Sequence, residues 1–89
     1  MNIPRKVKIG GHTYKVVFQK ETGLSNNVCG RTNRENGIIA IDSGLIQSEK
    51  EVTFFHEAIH VMNSEYKEHE VDFLAQAFYG FLKENKLLK

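Results

Sequence analysis

Around "DSGLIQS", residues 42 to 48, the hydrophobic period of this chain changes from two residues to between three and four, and nothing else in it constrains the fold as tightly. Upstream, in "RKVKIGGHTYKVVF", Val7 and Ile9 alternate with Lys8, and Tyr14, Val16 and Phe18 alternate with Lys15 and Val17. Alternation of this kind predicts half-buried strands. Gly10-Gly11 between the two runs supplies the positive φ angles of a two-residue hairpin turn. "GIIAID" predicts a further strand, closed by Asp42, Ser43 and Gly44. Between them "KETGLSNNVCGRTNRENG" is rich in turn formers, with a short strand expected near Val28 and Cys29.

Downstream the pattern is helical. Ser48 followed three residues later by Glu51 reads as a capping box, which starts a helix near Ser48. Val52, Phe55, Ile59 and Met62 recur at spacings of three and four, Phe54, Ala58 and Val61 widen the apolar face, and Asn63-Ser64 offers a stop. A second helix is expected from near Lys67, with Val71, Leu74, Ala75, Phe78 and Leu82 on its apolar side. The prediction is an α+β domain: a small, antiparallel-type sheet of about three strands, then two helices.

With 89 residues and no repeat or linker, the chain has room for a single domain over residues 1–89, small enough to gain from a bound metal. A hydrophobic share of 40% against 26% charged residues argues against disorder. Net charge is +1 and the Lys and Arg are scattered along the sequence, so no nucleic-acid footprint is expected. No apolar run approaches the ~20 residues of a membrane span, and "MNIPRKVKIG" lacks the core of a signal peptide, so a cytoplasmic location is expected. Cys29 is the only cysteine, which excludes an intrachain disulfide; it has no nearby partner as a metal ligand and is read as packed or half-exposed.

Chemistry concentrates in "TFFHEAIHVMNSEYKEHEVDFLAQ", residues 53 to 76. His56 and His60 stand four apart, hence on one face of a helix, where two imidazoles can reach one ion. Glu57 is displaced from His56 by about 100° and cannot easily join the same shell, but can lean over the open position as a general base toward a metal-activated water. A chance H-E-x-x-H is expected in about 2% of chains with this His and Glu content, so the match carries weight. For a third ligand the second helix offers Glu68 and Glu70, with Glu65 in the turn. Glu68 pairs with Asp72 four residues on, and Asp72 suits a carboxylate that accepts the outer N–H of a histidine ligand. Glu70 lies about 200° away around the helix and is the less favoured choice. Tyr66, His69 and Tyr79 are candidates to stabilise an oxyanion, each with a plainer reading: turn packing, solvated surface and helix core, respectively. His12 reads as an exposed strand residue.

His56, Glu57 and His60 followed by Glu68 and Asp72 resemble the zinc-peptidase pattern of gluzincins, H-E-x-x-H then E-x-x-x-D. "EHEVDFLAQAFYGFLKEN", residues 68 to 85, is similar to the second helix of ImmA/IrrE-like metallopeptidases, particularly the small versions in phages and integrative elements, and "IGGHTYKV" and "GIIAIDSGL" resemble their upstream hairpin and strand. The resemblance implies zinc held by His56, His60 and Glu68, Glu57 as general base and Asp72 in support. It also implies a zinc-dependent endopeptidase acting on a cytoplasmic protein or peptide substrate such as a repressor-type regulator. The gap between His60 and Glu68 is shorter than in the larger members, and no added sensor or DNA-binding domain is expected within these 89 residues. An extended peptide could pair with an exposed edge strand such as "GIIAID". The alternative is a non-catalytic zinc-containing binding module or a relic of such a peptidase, although a purely structural site has no use for Glu57.

Overall fold

The computed structural model describes residues 1–20 and 29–88. Strands β1 (Lys6–Ile9), β2 (His12–Gln19), β3 (Gly30–Asn33) and β4 (Ile38–Asp42) are followed by helices α1 (Gln47–Met62) and α2 (Glu68–Glu84), the expected α+β order. β1 and β2 form the expected hairpin, with Ile9 opposite His12 and both turn glycines at positive φ, Gly10 at 59° and Gly11 at 84°. The expected strand near Val28 and Cys29 begins instead at Gly30, and Val28 lies outside the described residues.

The sheet has four strands, not about three, and it is mixed rather than antiparallel. Its order is β1-β2-β4-β3, with β4 antiparallel to β3 and parallel to β2. β4 is therefore interior, and "GIIAID" offers no free edge to a peptide; the edges are β1 and β3. Burial accounts for the placement. Ile39 and Ile41 are 0% exposed, and a strand with this much apolar surface gains most between two neighbours. Hydrogen bonds from Lys15 N–H to the Gly37 carbonyl and from Asp42 N–H to the Cys29 carbonyl close the two ends of β4.

One face of the sheet is covered by α1. Phe54 and Ala58 join Ile9, Tyr14, Val16, Ile39 and Ile41 in a single core, with Val61 packed at its edge. The stripe expected to be secondary thus meets the sheet, while Phe55 on the expected principal stripe turns toward α2, its ring 6.1 Å from that of Tyr79. Met62 is exposed. α2 buries Val71, Ala75 and Tyr79 and, among the described residues, packs on α1 and on no strand.

The capping box at Ser48 and Glu51 does not form. Ile46 is the N-cap and makes no side-chain cap hydrogen bond. Glu51 has better partners: its buried carboxylate accepts from Tyr79 Oη at 2.8 Å and Gln47 Nε2 at 2.9 Å, and the Met1 amino group stands 3.6 Å away. Burial alone would raise the pKa of Glu51, but these donors outweigh it and hold the carboxyl below its ordinary value. Among the described residues no helix is long and apolar enough to cross a membrane.

Candidate metal centre

The α1 sequence distributes its chemistry around the helix by the 100° step between residues. With Phe54 and Ala58 turned to the sheet, Thr53 and Glu57 face β3, and His56 and His60 face the start of α2. After His60 only a short turn intervenes. Asn63 ends α1 with its N–H on the Ile59 carbonyl and folds the next residues back, its side-chain oxygen accepting from the Glu65 N–H at 3.0 Å. α2 can then begin beside the end of α1, which puts Glu68 and Asp72 against the two histidines.

The contacts are close. His56 Nε2 lies 3.1 Å from His60 Nε2 and 2.7 Å from Glu68 Oε1, and His60 Nε2 lies 3.0 Å from Glu68 Oε2. Asp72 Oδ1 lies 2.9 Å from His56 Nδ1. A neutral His56 that donates its Nδ1–H to Asp72 keeps a lone pair on Nε2. That lone pair then faces the Glu68 carboxylate and the second imidazole, an arrangement that either a ring proton or a metal ion satisfies. Ligand atoms at tetrahedral zinc stand about 3.3 Å apart, so these three need to separate by only about half an ångström to admit the ion. Two imidazoles and a carboxylate that leave a fourth position open are the donor set of a catalytic zinc site, although other divalent metals accept such ligands.

Glu57 stands beside the group; the donor atoms of His56, Glu57 and His60, and those of His56, Glu68 and Asp72, each lie within 4.8 Å of one another, close enough to share an ion. Glu57 Oε2 lies 3.9 Å from His56 Nε2, and its Oε1 accepts the Thr32 hydroxyl at 2.7 Å. The side chain is buried, so the Thr32 bond offsets part of the cost of removing a carboxylate from water. Glu70 makes a different contact: its Oε1 accepts the Lys67 backbone N–H at 2.8 Å and caps α2. The residue expected to be plain surface therefore has a local structural task. Tyr79 donates to Glu51 and is core, as in its plainer reading; Tyr66 and His69 are exposed, and His12 is an exposed residue at the start of β2.

Three contributors carried no signal in the sequence. Thr32 comes from the edge strand β3. Arg34, in the turn after β3, donates its guanidinium to the carbonyls of His60 and Val61, where a positive charge also complements the C-terminal end of the helix dipole. Gly30 lets β3 approach α1: a Cβ there would lie 2.7 Å from Thr53 Cγ2 and 3.0 Å from the Ala40 carbonyl oxygen. Gly30→Ala is expected to cost about 1–3 kcal/mol through forced separation of β3 and α1. Thermal melting that matches wild type would show that this close approach does not exist.

The cleft over the site is lined by Cys29, Gly30, Thr53, His56, Glu57 and Glu68 among others. Cys29 is exposed, yet desolvation of its thiol, and then the charges of Glu49, Asp42 and Asp72, push its pKa up. A thiol raised in this way is a weaker nucleophile than an ordinary cysteine. Comparison with known protein families, with curated proteins and with solved structures yields no match for this chain.

Proposed function

We propose that the protein is a zinc-dependent endopeptidase of the ImmA/IrrE-like type, hydrolysing peptide bonds of a cytoplasmic protein, with repressor-type regulators as the first candidates. The observation that carries this reading is the separation of roles within one cluster. His56 Nε2, His60 Nε2 and Glu68 converge within 3.1 Å of one another, while Glu57 stands beside them with Oε1 held by Thr32 and Oε2 3.9 Å from His56 Nε2, which supports a base at the open position over a fourth ligand. A site that only stapled the fold would not keep a carboxylate at the open position.

In this reading His56, His60 and Glu68 hold the metal and Asp72 fixes the His56 ring through Nδ1. The chemistry that bound zinc supplies is Lewis acidity, polarising a scissile carbonyl and acidifying water toward a pKa of about 7. Glu57, with Oε1 committed to Thr32, has Oε2 free to take a proton from the attacking water and return it to the leaving amine.

The test is incubation of the zinc-loaded chain with candidate regulators and an unfolded protein, followed by mass-spectrometric detection of new termini. Cleavage that stops on chelation and returns with zinc is expected. Stoichiometric zinc with no new termini in any substrate would leave a binding module in its place.

A further inference from the structure

Lysines that lie apart in the sequence meet on the sheet. Val7, Ile9, Tyr14, Val16, Ile39 and Ile41 point toward α1, so strand alternation sends Lys6, Lys8 and Lys15 to the opposite face, which neither helix covers among the described residues. The register sets Lys6 directly opposite Lys15. Like charges so placed destabilise a strand pair. None of Lys6, Lys8 and Lys15 pairs with a carboxylate among the described residues, and the one acid of the described strands on this face, Asp42, sits at the far end and accepts the Gly44 N–H at 2.9 Å. Beside the lysines lie two half-buried apolar residues: Ile38 sits between Lys15 and Asn33, and Val17 neighbours the buried Ala40.

We propose that this face of the sheet is a docking surface for an extended, acidic protein segment, whose carboxylates meet Lys6, Lys8 and Lys15 and whose apolar side chains lie along Val17 and Ile38. Charge complementarity identifies the partner: its carboxylates relieve the repulsion between Lys6 and Lys15. Protein fits better than single-stranded nucleic acid, because no aromatic side chain among the described strand residues faces this side to stack on bases; Tyr14 and Phe18 both lie on the α1 side. The surface is on the side of the sheet opposite α1, so binding here does not depend on the metal centre.

The experiment is fluorescence anisotropy of the intact chain with a labelled peptide of alternating Glu and Val. The same peptide with Gln for Glu and a labelled oligothymidylate are the comparison probes. The Glu peptide is expected to bind, to weaken steeply between low and high salt, and to lose about tenfold in affinity when Lys6→Gln, Lys8→Gln and Lys15→Gln are combined. Equal binding of the Glu and Gln peptides would overturn the proposal. So would binding of the Glu peptide that salt leaves unchanged, undiminished affinity in a folded triple variant, or tighter binding of the oligothymidylate through the same lysines. The salt series on the wild-type chain keeps the test decisive if the triple variant does not fold.

Discussion

Glu57→Gln is expected to keep the metal and lose about 10²–10⁴-fold of the hydrolysis rate. The substitution is nearly isosteric, and a glutamine oxygen can still accept the Thr32 hydroxyl that now meets Glu57 Oε1 at 2.7 Å. What it removes is a basic oxygen at the position of Oε2, 3.9 Å from His56 Nε2. An amide nitrogen there cannot take a proton. Because Glu57 projects about 100° away from His56 around α1, the ligands should not notice the change. Steady-state cleavage measured beside zinc content separates the possibilities. A variant that cleaves at the wild-type rate would remove Glu57 from the chemistry, and one that loses zinc would make it a ligand.

Zinc is expected to raise the melting temperature by roughly 15–30 °C when free zinc exceeds its dissociation constant about a thousandfold. Binding to the folded state alone supplies about 4 kcal/mol under that condition, and each kcal/mol moves a domain of this size by about 4–8 °C. The architecture favours a large response. Among the described residues α2 packs on α1 only, and its first turn carries Glu68 and Asp72 onto His56 and His60. An ion at this point ties the last helix to the rest of the fold. His60→Ala removes a ring that is 26% exposed and lies outside the core between sheet and α1, so its metal-free melting should change modestly, whereas its response to zinc should nearly vanish. Calorimetry with and without zinc reads both quantities. An unchanged zinc response in this variant would place the ion elsewhere.

Features set by neighbours in the chain were legible before the fold was known. The Gly10-Gly11 hairpin, the end of α1 at Asn63 and the start of α2 after Lys67 follow from turn chemistry and apolar spacing. The pairing of His56 with His60 and of Glu68 with Asp72 was legible for the same reason: four-residue spacing determines which side chains share a helix face. Features set by distant partners were not. The parallel pairing of β4 with β2 depends on how β3 and β4 fold back together, which strand alternation does not encode. Glu51 has the local credentials of a capping residue, but Tyr79, 28 residues away, offers its carboxylate a buried hydroxyl. Thr32 and Arg34 are ordinary polar residues in the sequence and reach the centre only because β3 lies along α1. The lysines looked scattered because the sheet, not the sequence, brings Lys6 beside Lys15.

Glu68 and Glu70 are two residues apart and make different contacts, Glu68 with the two histidines and Glu70 with the backbone at the start of α2. Zinc affinity, measured by competition with a chromophoric chelator, should be compared in wild type, Glu68→Gln and Glu70→Gln. The account predicts one zinc per wild-type chain, binding weakened by at least about 100-fold in Glu68→Gln, and near-wild-type affinity in Glu70→Gln, whose loss is confined to the cap of α2. A wild-type chain that binds no zinc, or a Glu70→Gln variant that loses zinc while Glu68→Gln retains it, would contradict the account.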